Sequence, residues 1–412
     1  LNKHYITLIY RCSVPYSAYY SSDPAVNNFR EYLRIASVHP NVNYDECLTF
    51  LRRQAQECGL TVQEFEPVPK KPVLVMTWTG EEPTLPSILL LSHMDVVPVA
   101  GQDWDYPPFE ARLIDGRIYA RGSQDMKAHA MQTIEAVRRL KKNNIKMKRT
   151  VHLCFVPDEE VGGFDGMATF VKTDAYRSLN VGFCIDEGSG SPGDEIVVYN
   201  GAKSIWHIEV TCRGQSGHGS LMFPNTCGEK IRFIIDKFMD LRKEYVAKVA
   251  ASGKPNLLAL GDVISVNLTM LRGGEQNNVI PDKMVASFDL RLPPFLDFDQ
   301  FENQWCEEAG EGVTFDFQQK DPKPKDFNLD EVIYWKPIKD TLDKMKIPYL
   351  VGIFPASNDS RFVRELGTPA IGLSPLRHTP VAAHARNESL LVSVFLEGID
   401  VFENIIPAMC NA

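Results

Sequence analysis

The 412 residues allow two or three domains and a sizeable buried core, with ordinary soluble usage of 44% apolar and 24% charged residues. A net charge of −9, with Lys and Arg spread along the chain, excludes the clustered basic face of a nucleic-acid binder. No apolar run approaches the roughly 18–20 residues of a membrane helix, and nine scattered cysteines without CxxC spacing argue for a reducing compartment, the cytoplasm, over a disulfide framework.

Residues 1–22 stand apart. They hold five tyrosines and a short apolar stretch over 5–10, below the roughly 7–15 residues of a signal peptide's apolar region, and read as a poorly ordered extension. Asp23 then caps a helix with Pro24 in its first turn. Helical spacing runs through Phe29, Leu33 and Ile35, and again through Leu48, Leu51 and Cys58. Apolar, β-branched runs predict strands over 73–77, 88–91, 151–156 and 182–185, with a helix over 126–140. Nearly all-apolar strands alternating with helices indicate an α/β layer fold with a mixed, largely parallel sheet.

The rhythm changes near Asn200. Alternating strands over 205–212, 263–271, 284–292 and 313–317, with helices over 226–249 and 298–309, make the ferredoxin-like order β-α-β-β-α-β. This small unit interrupts the first, because apolar strand-like runs resume at 349–354 and 369–373, after a Lys- and Pro-rich hinge over 320–325. The expected organisation is an extension at 1–22, a catalytic domain at 23–199 and 320–412, and an inserted domain at 200–319.

Chemistry gathers at the predicted strand ends. His93 closes the strand over 88–91 and is followed two residues later by Asp95, which can take the second imidazole N–H and fix the metal-binding tautomer. Asp125 stands where a helix opens, a place that a simple N-cap would also explain. Glu159 and Glu160 follow the strand over 151–156 in Pro-Asp-Glu-Glu-Val-Gly-Gly, and Glu187 follows the strand over 182–185. His384 comes after the turn Thr379-Pro380. Carboxylates converging in this way repel one another unless a cation neutralises them. Oxygen and imidazole donors without thiolates suit zinc, with cobalt or manganese as substitutes.

Seven blocks stand in one order: Ser-His-Met-Asp-Val-Val-Pro from Ser92, Tyr-Ala-Arg-Gly-Ser-Gln-Asp-Met-Lys from Tyr119, Phe-Val-Pro-Asp-Glu-Glu-Val-Gly-Gly from Phe155, Asp-Glu-Gly from Asp186, Gly-His-Gly-Ser from Gly217, Asn-Asn-Val-Ile-Pro from Asn277 and His-Ala-Arg-Asn-Glu from His384. In these, over roughly 24–408, the chain resembles the aminoacylase-1/carboxypeptidase family of di-zinc peptidases. The resemblance implies a zinc-peptidase catalytic domain interrupted by a lid and dimerisation domain. It also implies two zinc ions bridged by Asp125, one held by His93 and Glu187 and the other by Glu160 and His384. Glu159 would be the general base, Asp95 would orient His93, and a cis peptide would follow Asp125.

The same resemblance implies hydrolysis of N-acyl-L-amino acids to a carboxylate and a free L-amino acid, through a hydroxide shared by the two zincs. His218, by itself an ordinary exposed loop histidine, would stabilise the oxyanion in the site of a homodimeric partner. Asn278, Arg291 and Arg361 would contact substrate, although Arg291 could equally be a surface partner of Asp289. A dipeptidase or carboxypeptidase with the same site is the alternative. An inactive relative would be expected to lose a ligand or the base, and all of those positions are present. The chain departs from the family wording at Asn358, Gly219 and Ala385-Arg386-Asn387, all on the substrate side.

Overall fold

The computed structural model describes residues 20, 22–325 and 327–412. The extension at 1–22 therefore lies outside the described residues except for Tyr20 and Ser22. The chain forms two compact units, one running through Val198 and then Asn328–Leu350 and Thr368–Ala412, the other made of Tyr199–Phe327 and Val351–Gly367. Relative to the boundaries read from sequence, the segment Val351–Gly367 groups with the inserted unit.

The first unit is built on a sheet ordered Thr61–Val68, Lys71–Trp78, Val151–Val156, Ser87–His93, Val181–Asp186, Ala370–Leu373. The first three strands are antiparallel neighbours, and from Val151–Val156 onward each pairing is parallel. The order continues into Ile196–Ala202 and Tyr349–Phe354, strands within which the chain passes from one unit to the other. Every residue of Ser87–His93 and Val151–Val156 is buried, as continuous apolar runs require when helices cover both faces. Thr61–Val68 shows the opposite character: it holds Glu64, Glu66 and Pro67, buries nothing fully and forms the sheet edge.

Helices supply the cover. Asp23 Oδ1 accepts from the amides of Ala25 and Val26, capping Pro24–Arg34 as its sequence indicates. Phe29 of that helix stacks on Phe395 of Val392–Cys410, with ring centroids 4.4 Å apart. Lys127–Lys142 packs against the same C-terminal helix. A small three-stranded sheet pairs Ser389–Leu391 with Arg117–Tyr119, and Arg117–Tyr119 with Arg112–Ile114. It draws together the segment leading from Tyr119 to Asp125 and the segment leading from His384 to Ser389.

The second unit is ferredoxin-like. Ser204–Arg213, Ser265–Gly273, Lys283–Leu292 and Val313–Lys320 form an antiparallel sheet in which Ser265–Gly273 is one edge. Helices Cys227–Ala251 and Phe298–Ala309 contribute Ile231, Ile234, Phe238, Phe298 and Phe301 to the same core as Trp206, Ile208 and Phe288. Thr226 and Glu229 close the start of the longer helix with a reciprocal capping box. Among the described residues, no helix is long and apolar enough to cross a membrane, and the described cysteines are free.

Candidate active site

Three neighbouring parallel strands of the first unit deliver acidic and imidazole side chains to one end of the sheet. His93 is the last residue of Ser87–His93, Val151–Val156 leads through two residues into the turn Glu159–Val161, and Val181–Asp186 is followed at once by Glu187. Parallel pairing makes these carboxyl ends coincide, the edge at which ligands bind in open α/β sheets. Asp125 reaches it from just before helix Lys127–Lys142, and the Asp125–Met126 peptide is cis.

Within the cluster, His93 Nε2 lies 3.1 Å from Asp125 Oδ1 and 3.9 Å from Glu187 Oε2. His384 Nε2 lies 3.2 Å from Asp125 Oδ2 and 2.8 Å from Glu160 Oε2. Asp125 thus turns one oxygen to each imidazole. Ligand atoms of His93, Asp125 and Glu160 all fall within 4.8 Å of one another, as do those of His93, Glu159 and Glu187. Glu160 Oε1 is buried and, among the described residues, has no hydrogen-bond partner, a costly arrangement for a carboxylate that meets no cation.

The titration behaviour states the same demand for positive charge. Burial alone would lower His93, but its bond to Asp125 and the charges of Glu187, Asp95 and Glu159 outweigh burial and raise it well above the ordinary range. Hydrogen bonds to Asp125 and then Glu160 push His384 up to about 10. Burial, followed by the charge of Asp125, raises both Glu160 and Glu187. Asp125 moves down, because bonds from His384 and His93 overcome its burial. Imidazole nitrogens and carboxylate oxygens, with no thiolate among them, form a donor set that suits zinc, cobalt or manganese.

Asp95 supports this cluster in two ways. His93 Nδ1 lies 2.9 Å from the main-chain carbonyl oxygen of Asp95, against 3.6 Å from its carboxylate. The carboxylate instead accepts from the amides of Glu159 at 3.3 Å and Glu160 at 3.1 Å, and it lies 2.8 Å from His39 Nε2. The sequence reading assigns the imidazole to the carboxylate; the structure gives it to the backbone, leaving the side chain to hold the Glu159–Glu160 turn. Its bond to Asp95 raises His39. Behind it, Asp158 adopts a left-handed φ of 64°, takes a hydrogen bond of 2.6 Å from the Tyr44 hydroxyl and pairs with Lys71. His39, Asp95 and Asp158 also bring ligand atoms within 4.8 Å, but the Lys71 ammonium already answers this charge.

The remaining residues singled out by sequence lie in the second unit. Gly217–His218 pairs antiparallel with Val279–Ile280, which sets His218 opposite Val279 and brings Gly219 to Asn278. His218 Nδ1 accepts from the Ser220 amide at 3.2 Å and lies 2.7 Å from its hydroxyl, which leaves the ring proton on Nε2. Gly219 donates to the Asn278 carbonyl at 2.7 Å, and a Cβ at 219 would stand 3.0 Å from that carbonyl. Arg291 is bonded through Nε and Nη2 to both oxygens of Asp289, at 2.7 and 3.0 Å. Arg361 bonds Ser357 at 2.5 Å and lies 3.6 Å from Asp321.

The sequence pattern of Peptidase family M20/M25/M40 matches residues 89–408. The chain belongs to that family. The M20/M25/M40 match takes in His93, Asp95, Asp125, Glu159, Glu160, Glu187 and His384. Mouse aminoacylase-1 is 44% identical over 396 residues, 95% of this chain and 96% of its own length. In fold, the M20 family metallo-carboxypeptidase Sso-CP2 of Sulfolobus solfataricus superposes with a TM-score of 0.71 at 20% identity, covering 94% of this chain and 99% of its own. A Bacillus subtilis protein described as a dinuclear metal-binding peptidase of the M20 family gives 0.65 at 15% identity, covering 93% and 98%.

Three residues that sequence reasoning passes over belong to the support of this site: His39, Arg121 and Glu388. Arg121 and Glu388 lie inside blocks that carry the family resemblance, but nothing in their spacing announces that they meet. His39 lies before the matched segment.

Proposed function

We propose that this chain is a metal-dependent amidohydrolase that cleaves N-acyl-L-amino acids to a carboxylate and a free L-amino acid, with two zinc ions per subunit. The observation that carries the reading is Asp125, which presents one carboxylate oxygen to His93 and the other to His384. The substrate class is supported by the name of the 44% identical mouse relative.

His93, Glu187 and Asp125 would hold one ion, and Asp125, Glu160 and His384 the other; cobalt or manganese suits the same donors. Bound there, divalent ions supply Lewis acidity toward the amide carbonyl and lower the pKa of water. Glu159 takes a proton from the attacking water and returns it to the amide nitrogen as the C–N bond breaks, leaving a carboxylate and an amine. The Asp95 carbonyl keeps His93 Nε2 turned toward Asp125 and Glu187. The Asp95 carboxylate fixes the backbone that carries Glu159.

The second unit contributes substrate contacts. With its proton on Nε2, His218 is a hydrogen-bond donor for the developing oxyanion, and Asn278, bonded through its carbonyl to Gly219, adds a polar contact. Arg361 binds the substrate carboxylate, and Arg291, already bonded to both oxygens of Asp289, contacts substrate only through its remaining N–H groups. The enzyme works as a homodimer in which His218 serves the partner subunit's site. Exposed Phe233, Val246, Met270 and Leu271, on the long helix and the edge strand Ser265–Gly273, support an apolar subunit contact. Free described cysteines support a cytoplasmic location.

The test is substrate competition. Turnover of N-acetyl-L-methionine should exceed that of the dipeptide Ala–Met. The reverse order makes the chain a dipeptidase. Mixing inactive Glu159→Ala and His218→Asn subunits should restore activity at hybrid dimers, and no recovery refutes the shared site.

A further inference from the structure

The two halves of the cluster are held by different means. His93 sits at a strand end, its side chain 1% exposed and its Nδ1 bonded to a main-chain carbonyl. His384 sits in an irregular segment, its side chain 57% exposed and its φ at a left-handed 62°. Packing does little to fix such a residue, so its main chain must be restrained in another way.

That restraint comes from one buried ion pair. Arg121 Nη1 lies 2.8 Å from Glu388 Oε2, and the two side chains are 1% and 0% exposed. On one side, Glu388 collects the main-chain amides of the segment that ends in Asp125: Gly122 at 3.1 Å, Gln124 at 2.6 Å and Asp125 itself at 3.2 Å. On the other side, Arg121 donates to the carbonyls of Ala385 at 3.1 Å and His384 at 3.3 Å. Gln102 completes the clamp, accepting from Arg121 Nη2 at 3.0 Å and donating to the His384 carbonyl at 3.1 Å. The small sheet that pairs Tyr119 with Ser389 brings the two segments side by side.

We propose that Arg121 and Glu388 are a positioning pair for the cation that Asp125, Glu160 and His384 would hold, setting the affinity of that half of the site more than that of the His93–Glu187 half, which the sheet holds. The proposal rests on the two-cation reading above. Neither residue touches substrate or cation. The pair acts by holding the bridging aspartate and the exposed histidine in register. A guanidinium is needed for this because its fork reaches Glu388, two carbonyls and Gln102 at once, which an ammonium on a flexible stem cannot do.

Zinc titration of the full-length chain against a competing chelator tests this. Wild type should bind two zinc ions, and His384→Ala identifies which binding step belongs to His384. Arg121→Lys should weaken that step by roughly 10–100-fold, the usual effect of losing a residue that orients a ligand, and the other step, which shares Asp125, by clearly less. Gln102→Ala removes only the outer member of the clamp and should weaken the same step by less, so it decides the matter if Arg121→Lys fails to fold. Equal weakening of both steps, or none, in a folded variant overturns the positioning role alone. A wild-type chain that takes up no more than one zinc refutes the two-cation reading and the proposal with it.

Discussion

His93 gives its Nδ1 proton to the main-chain carbonyl of Asp95, at 2.9 Å, and not to the Asp95 carboxylate. The tautomer of His93 is therefore written into the backbone just past the strand end. Asp95→Asn keeps that carbonyl, so zinc affinity at the His93 half should stay near wild type. The amide can no longer serve both His39 and the Glu159–Glu160 amides, so kcat should fall on the order of 10–100-fold. A large loss of zinc with catalysis otherwise intact would assign the tautomer to the carboxylate instead.

Glu159→Ala should retain both metals and the melting temperature while losing at least ~100-fold in rate, as expected on removal of a general base. Metal analysis alongside steady-state kinetics checks this. Full activity would remove Glu159 from the mechanism.

His218→Asn should lower kcat by roughly 100–1,000-fold, the range for a lost oxyanion donor, and leave the fold and zinc content unchanged. Circular dichroism, metal content and kinetics measured on the same preparation separate this from misfolding. Unchanged kcat would return His218 to an ordinary exposed loop residue.

Much of this site is legible in the sequence because its acidic and imidazole residues stand at the ends of apolar strands, where a one-residue change of character is easy to see. His93, Glu159, Glu160 and Glu187 were visible in that way, and the structure brings them together with Asp125 and His384. Thr61–Val68 was not legible as a strand. An edge strand buries little, so no apolar periodicity marks it. The Arg121–Glu388 pair spans 267 residues and leaves no local signal. The Asp95 carbonyl was invisible for another reason, since a side-chain argument cannot see which main-chain oxygen a turn presents. Val351–Gly367 joins the second unit through tertiary contacts that its sequence does not announce.

A buried lysine in the second unit sets a pH dependence of stability. Lys203 is 2% exposed and bonds the Ser265 hydroxyl at 2.8 Å. Burial, and after it the charge of Arg291, lower its ammonium to about 7 from an ordinary 10.5. Between those values the unfolded chain binds the proton that the folded chain has released, so this group makes stability rise as pH increases from 7 toward 10.5. Urea unfolding at pH 7.5 and 9.5 should show that rise, and Lys203→Met should flatten it. An identical pH slope in the variant contradicts the assignment.

Acidic and imidazole groups from distant parts of the chain share one pocket, where divalent cations would balance them. Metal content and N-acetyl-L-methionine hydrolysis, measured before chelation, after exhaustive chelation and after zinc is returned, test it most directly. Two zinc equivalents per chain, loss of activity on their removal and recovery on their return are expected. Undiminished hydrolysis by the metal-free chain would contradict it.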